Sequence, residues 1–283
     1  MEIGTWVDWS DTTDGFHFGD PETKVHGIVV AWKPYWSALR RVAELGCNFF
    51  LAHESIFREG RNDDETSAAS SHEQPKLVWL QESGLVVYRC HDVWDVIPQI
   101  GVRDSWASGL GFEGPPLKLD GYYRLEDVSG RTFGQLCRHV ASRVWLVGQE
   151  GVLAVGDPDR KISRLGTGAI TELDRMISLG ADVCIICDDY FRYVRDGALL
   201  QDLEIPFIVV NHGAKEEWGI ENFYKYAQEK FSSVPVHFCP QGCPFHIVSE
   251  PPNDEAQHKS EPRDDAREVL NPGQSVHRQA RAK

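Results

Sequence analysis

The sequence predicts an α/β protein whose strand–helix–strand units build mixed or parallel sheets covered by helices. Three observations carry this. Short apolar, β-prone runs alternate with stretches of helical periodicity. The run at 181–187 is apolar almost throughout, as strands buried on both faces are. Three such runs stop at a histidine, His53, His91 and His212, and His53 falls at a strand's carboxyl end, where open α/β sheets place their sites.

In chain order, residues 28–32 are the first strand. Pro34 then opens a helical stretch with Leu39, Val42, Ala43 and Leu45 in step and Gly46 as its stop, and 48–52 is the next strand. Residues 58–74, rich in Asp, Glu, Ser and Ala, read as a mobile loop. A short helix at 76–82 leads through Gly84 into a strand at 85–90. A second unit begins near Gly121 with a strand at 122–125 and a helix that Thr132 caps, carrying Phe133, Leu136, Val140 and Val144. Strands at 152–155 and 162–165, a helix at about 170–179, the strand 181–187, a helix near 191–200 and the strand 206–211 complete it. An amphipathic helix at 220–231 follows. The aromatic N-terminus (Trp6, Trp9, Phe16, Phe18) reads as packing. From residue 249 the chain turns polar and aperiodic, which predicts a disordered tail.

The 283 residues suffice for a large core, and a net charge of −14 argues against a nucleic-acid surface. No signal-peptide pattern opens the chain, and no apolar run approaches the roughly 20 residues that span a bilayer. The expectation is a cytoplasmic protein with no membrane and no nucleic-acid partner. The seven cysteines lack framework spacing. Cys184 and Cys187, three apart in a strand, should face opposite sides, and Cys239 and Cys243 read as reduced thiols near a turn.

Each terminal histidine has a carboxylate in step: Glu54 directly after His53, Asp95 four after His91, Glu216 four after His212. Four residues is one helical turn, so such a pair shares a face. Imidazole with carboxylate is the ligand mixture of a divalent transition-metal site, and three pairs supply enough donors for two ions. Hydrogen-bonded structural histidines and helix-start caps are the plainer alternative. Gly166-Thr167-Gly168 before a helix reads as a plain loop or an anion cradle, and Asp188-Asp189 as a helix cap or a supporting group. No P-loop or Gly-x-Ser-x-Gly signature occurs.

Five segments, in order, resemble the NIF-three-like family, the dinuclear metal-centre proteins that include the GTP cyclohydrolase type-two homologues. Asp14-Gly15-Phe16-His17-Phe18-Gly19-Asp20 resembles the opening Asn-x-Gly-Leu-x-x-Gly segment. Leu51-Ala52-His53-Glu54-Ser55-Ile56-Phe57 stands at the His-His-Pro-x-x-Phe motif, and Tyr88 through His91 to Asp95 at Tyr-x-x-His-Thr-x-x-Asp. Ala181-Asp182-Val183 through Asp188 resembles Ala-Asp-x-x-x-Thr-Gly-Asp, and Asn211-His212-Gly213-Ala214-Lys215-Glu216 resembles Gly-His-x-x-x-Glu. The likeness runs from about Thr12 to Val248. Glu54 replaces the second histidine of the pair, Ser55 the proline, and a later histidine is replaced near Arg192.

The resemblance implies a two-lobed α/β fold with a two-metal site between the lobes and a toroidal homohexamer. On this reading 1–115 is the first lobe, 116–235 the second, 236–248 a strand returning to the first, and 249–283 the tail. His53, Glu54, His91, Asp95, His212 and Glu216 are the expected ligands of two divalent ions (zinc, manganese or iron), with Glu216 bridging as the catalytic carboxylate. Glu54 as a ligand makes the set richer in oxygen, which favours harder ions over zinc; alternatively Glu54 points away, and one metal position is weak or empty. The expected function is metal-dependent hydrolysis of an unidentified small molecule by a metal-bridging hydroxide. The alternative is a non-catalytic metal-binding or scaffold protein. A GTP-ring-opening activity finds no nucleotide signature in the chain.

Overall fold

The computed structural model describes residues 4–58, 69–189 and 191–248; the tail expected from residue 249, and 59–68 of the expected loop, lie outside them. The first part of the chain forms β1 (Gly15–Phe18), β2 (Ile28–Ala31), α1 (Trp36–Glu44), β3 (Phe49–Ala52), α2 (Gln74–Ser83), β4 (Val86–Arg89), α3 (Asp92–Val96) and α4 (Val102–Gly109). Next come β5 (Lys118–Asp120), β6 (Tyr123–Thr132), α5 (Phe133–Val144), β7 (Leu153–Val155), β8 (Lys161–Gly168), α6 (Leu173–Leu179) and β9 (Val183–Cys187). Last are α7 (Ala198–Asp202), β10 (Phe207–Val210), α8 (His212–Lys230) and β11 (Val236–Phe238).

Two sheets result. The first has the order β1-β4-β3-β2-β11, with β4, β3, β2 and β11 parallel and β1 antiparallel on the edge. The second has the order β5-β6-β8-β9-β10-β7, parallel only through β8, β9 and β10. Both faces of each sheet are covered, which is why the central strands are apolar at every position. In β2, Val29 and Ala31 pack with Leu39, Val42 and Leu80 of α1 and α2, while Ile28 and Val30 pack with Trp94, Ile220 and Phe223. In β10, Ile208 and Val210 face Leu136 and Val140 of α5, and Phe207 and Val209 face Met176 and Leu200.

Helices α4 and α8 serve both sheets. Trp106, Leu110 and Ala214 belong to the core on the second sheet, and Val102, Ile220 and Ala227 to the core on the first. Gly219 permits this crossing: a Cβ there would stand 2.8 Å from Val102 Cα. Helix α8 begins where β10 ends and then lies against β2 and β11, so one helix links the strand ends of both sheets.

Several expectations shift in detail. Helix α8 starts at His212, eight residues before its amphipathic part, because Asn211 caps it by accepting from Ala214 N at 3.2 Å. The helix expected near 191–200 is a π-helical turn, Tyr193–Gly197, followed by α7. Gly166-Thr167-Gly168 is no pre-helix loop: it closes β8, and Thr167 is buried with its hydroxyl accepting from Trp106 Nε1 at 2.8 Å. The glycine at 166 answers to packing, since a Cβ there would stand 2.8 Å from Ala181 Cβ and 2.9 Å from Met176 Cβ. The anion-cradle alternative is withdrawn. The Thr132 cap is present as a reciprocal pair: Gln135 N donates to Thr132 Oγ1 at 3.3 Å, and Thr132 N to Gln135 Oε1 at 2.8 Å. The seven cysteines are free thiols, and Cys184 and Cys187 face opposite sides of β9. No helix among the described residues is long and apolar enough to cross a membrane.

Candidate metal centre

The carboxyl ends of β3, β4 and β10 deliver the three histidines. His53 follows β3, and its amide donates to Trp32 O at 3.0 Å. His91 precedes α3, where Asp14 accepts from the backbone N–H groups of His91, Asp92 (2.9 Å) and Val93 (2.8 Å). That carboxylate satisfies helix-start donors and favours the helix dipole. His212 opens α8, its amide donating to Asp188 Oδ1 at 3.0 Å, and Asp188 Oδ2 accepts from the Asn211 amide group at 2.9 Å. Asp95 and Glu216 each follow their histidine by one turn, on the same face.

Each imidazole is held by an acceptor on its outer nitrogen. His53 Nδ1 stands 3.0 Å from Cys90 O, His91 Nδ1 2.9 Å from Asp92 Oδ1, and His212 Nδ1 2.7 Å from Asp189 Oδ2. These oxygens accept, so each Nδ1 carries its proton and each Nε2 turns inward, the tautomer of a metal-ligating histidine. The His53 and His91 rings stack at 4.5 Å.

The inward atoms fall into two groups that share Glu216. In one, His53 Nε2 lies 3.4 Å from Asp95 Oδ1 and 3.3 Å from Glu216 Oε2. In the other, Glu54 Oε1 lies 3.6 Å from both His91 Nε2 and His212 Nε2, and Glu216 Oε1 is 2.9 Å from His212 Nε2. A tetrahedron with bonds of about 2.1 Å has edges of about 3.4 Å, so these spacings suit a small divalent ion. His53 Nε2 and Asp95 Oδ1 are buried and without a hydrogen bond. Leaving such atoms without a well-directed partner is costly; a proton on His53 beside Asp95 and Glu216 offsets part of that cost, and an ion between them would offset it too. Donor atoms within 4.8 Å of one another are also offered by His53, His91 and Asp95, by His53, Glu54 and Glu216, and by Cys187, Asp189 and His212, sets that cut across these two groups.

The charges are strongly coupled. Burial opposes protonation of His53, yet the Glu216 and Asp95 carboxylates raise it well above an ordinary imidazole. His91 rises to about 9 despite burial, chiefly through Asp95, and His212 to about 10, chiefly through Glu216 and Asp189. Burial pushes Glu54 and Glu216 upward, but the neighbouring imidazoles hold both below the usual carboxylate range. Protons thus do in the metal-free cluster what divalent ions would do. Burial, ahead of the nearby carboxylates, raises the Cys187 thiol well above its ordinary value, so it stays neutral.

Three residues that the sequence did not single out complete the setting. Trp32 Nε1 donates to Glu216 Oε2 at 2.7 Å. Arg89 donates through Nε to His53 O at 3.0 Å and through Nη2 to Glu54 Oε2 at 3.2 Å. Lys215, wholly buried, donates to the Gly168 and Ala169 carbonyls and stands 3.4 Å from Glu216 Oε1. Only tertiary folding brings these together, so no local spacing announces them. The six expected ligand residues do converge. Arg192 lies apart, exposed at the start of the π-helical turn. A cavity of about 460 Å³, lined by Glu54, Arg89, His91, Asp189, His212 and Glu216 among others, opens onto the cluster. Thr12 and Thr13 form part of its rim, while His53 sits behind the wall.

Two helix-covered sheets, with a buried histidine–carboxylate cluster at their strand ends, define an α/β protein with a candidate metal centre. Residues 6–244 match the Duf34/NIF3 (NGG1p interacting factor 3) family model, and the chain belongs to that family. Solved structures agree on the fold. A Staphylococcus aureus hypothetical protein, SA1388, superposes with a TM-score of 0.66 at 16% identity, covering 85% of this chain and 94% of its own. A Bacillus cereus protein related to NIF3 gives 0.68 at 14% identity, covering 87% and 96%. Reduced HcgD from Methanocaldococcus jannaschii gives 0.64 at 18% identity, covering 83% and 92%. No curated protein matches the chain significantly.

Proposed function

We propose that the cluster binds divalent metal ions at two positions sharing Glu216 and uses them for hydrolysis of a small molecule. The observation that carries this is the buried, unpaired pair His53 Nε2 and Asp95 Oδ1, 3.4 Å apart beside Glu216. His53, Asp95 and Glu216 would hold one ion; His91, His212, Glu54 and the second oxygen of Glu216 the other. Divalent ions supply Lewis acidity: they polarise a carbonyl or phosphoryl oxygen and bring the pKa of a water toward neutrality. The chain's own groups do the positioning. Cys90 O, Asp92 and Asp189 fix the imidazoles, Trp32 fixes Glu216, and Arg89 turns one oxygen of Glu54 inward. The cavity admits a substrate to the Glu54–His212 side while His53 stays out of water.

The test has two stages. Protein loaded with Mn²⁺ or Zn²⁺ and desalted should retain metal, and a sample that retains none removes the reading. Metal-loaded protein should then turn over a member of a panel of nucleotides, phosphoesters and cyclic amides, and His212→Ala should abolish that turnover without unfolding the chain. The second reading, a metal-binding protein without turnover, draws on the Arg89–Glu54 ion pair, which occupies half of one expected ligand. Metal retention with no turnover on any substrate favours it.

A further inference from the structure

Close to His212 stands a thiol that the centre described above does not use. Cys187 is the last residue of β9, and its parallel pairing with Val210 of β10 brings it next to the start of α8. Asp189 follows two residues on, and its Oδ2 lies 2.7 Å from His212 Nδ1. Donor atoms of Cys187, Asp189 and His212 fall within 4.8 Å of one another. The backbone that carries them is braced. Asp188 N donates to Val210 O at 3.0 Å, the Asp188 carboxylate accepts from Asn211 and from the His212 amide, and Cys187 N donates to Thr171 Oγ1 at 3.0 Å.

This donor set differs in kind from the cluster. Nitrogen and oxygen alone suit manganese or iron as well as zinc, whereas a thiolate among them turns the preference toward thiophilic ions. Tetrahedral zinc, with bonds of about 2.0–2.3 Å, has donor edges of about 3.3–3.8 Å, so the set must close by no more than about 1.5 Å. The Asp189 side chain is 45% exposed and borders the cavity, which gives an ion a way in and water a place at the fourth position.

The protons balance as well. One divalent ion replaces two of them, that of the Cys187 thiol and that of His212 Nδ1, and both pass to solvent. The ring keeps its proton on Nε2, where Glu216 Oε1 accepts it at 2.9 Å. A neutral imidazole has one free lone pair. An ion on Nδ1 therefore leaves Nε2 a donor to Glu216 and no longer a ligand.

We propose that Cys187, Asp189 and Nδ1 of His212 form a separate site for a thiophilic divalent ion, zinc above all, and that an ion there withdraws His212 from the histidine–carboxylate cluster. The ring then stands between an oxygen-rich centre on one nitrogen and a thiolate site on the other, and can serve one at a time. The loss to the centre rests on the metal-binding reading above; the thiolate site itself does not.

The experiment titrates the full chain, stripped by a chelator and with its thiols reduced, with Cd²⁺, which shares the preference of zinc for thiolate and reports it by ultraviolet charge-transfer absorption. The absorption should rise to one equivalent, with two protons released per ion. Cys187→Ser should weaken this step at least about tenfold, and so should Asp189→Asn, since each removes a ligand. In isotope-labelled protein, nuclear magnetic resonance should show His212 Nδ1 coupled to cadmium while Nε2 keeps its proton. A step that survives Cys187→Ser unchanged comes from another of the seven thiols and overturns the proposal. So does a step kept at full strength in Asp189→Asn, or cadmium coupled to Nε2. If Cys187→Ser does not fold, Asp189→Asn and the ring spectrum decide. A chain that retains no Mn²⁺ fails the metal-binding reading and leaves each of these outcomes as it stands, a different failure.

Discussion

The indole N–H of Trp32, at the end of β2, donates to Glu216 Oε2 at 2.7 Å, tying the carboxylate shared by the two donor groups to the first sheet. The Trp32 ring also packs edge-on against His212, centroids 5.2 Å apart. Trp32→Phe keeps the packing and removes the donor. A hydrogen bond to a buried charged group is worth about 1.5–3 kcal/mol, so metal-free Trp32→Phe should lose about that much unfolding free energy in urea. The intrinsic fluorescence change on metal binding should shrink in the same variant.

Stability of the metal-free protein should depend on pH in a definite direction. His91 and His212 sit at about 9 and about 10 when folded, against about 6.5 when unfolded. Their raised values stabilise the fold fully below about 6.5, and that contribution is lost as pH rises through about 9 to 10. Glu54 and Glu216 are held below the usual carboxylate range, so their contribution is lost on the acid side as pH falls through their folded values. Melting temperatures in EDTA should therefore fall between pH 7 and 10. With Mn²⁺ present the imidazoles need no proton, and the decline should flatten. Metal affinity should rise over the same interval, because binding must displace those protons.

Asp189 touches His212 only through the outer nitrogen, at 2.7 Å. Asp189→Asn removes the charge that fixes this ring. Mn²⁺ affinity at the position that includes His212 should fall about 10- to 100-fold. Loss of amide-exchange protection throughout both sheets would instead mean that Asp189 supports the fold generally.

Asp14 collects three backbone N–H groups at the start of α3. Asp14→Ala should lower unfolding free energy by about 2–3 kcal/mol, more than an ordinary cap, because a charged acceptor serves several donors at once. Amide exchange should quicken in residues 91–96, and Mn²⁺ affinity should fall because α3 carries Asp95 beside His91.

Much of the candidate centre was legible because its histidines and carboxylates obey local rules. An apolar run that stops at His53, His91 or His212 marks a strand end, and a carboxylate four residues on marks one helical turn. The Thr132 cap and the opposed faces of Cys184 and Cys187 follow from equally local geometry. What stayed hidden depends on distant chain segments. Trp32 and Glu216 are 184 positions apart, and nothing around Lys215 distinguishes a buried lysine from a solvated one on a helix. The glycines at 166 and 168 looked like a loop because glycine is common in loops, yet Gly166 is small to admit Ala181 and Met176. Helix α4 escaped notice because its buried face, Val102, Ser105 and Trp106, includes Arg103 and too few apolar residues to show a period.

Helix α8 has one end on the second sheet and its body against the first, and β11 closes the first sheet only after α8 is made. A ribosome therefore delivers His53, His91 and Asp95 early, with their first sheet still lacking a strand, and His212 and Glu216 near the end of synthesis. A nascent chain stalled before α8 has half a centre with an exposed apolar face. Closure of the first sheet and completion of the histidine–carboxylate cluster therefore arrive together, late in synthesis.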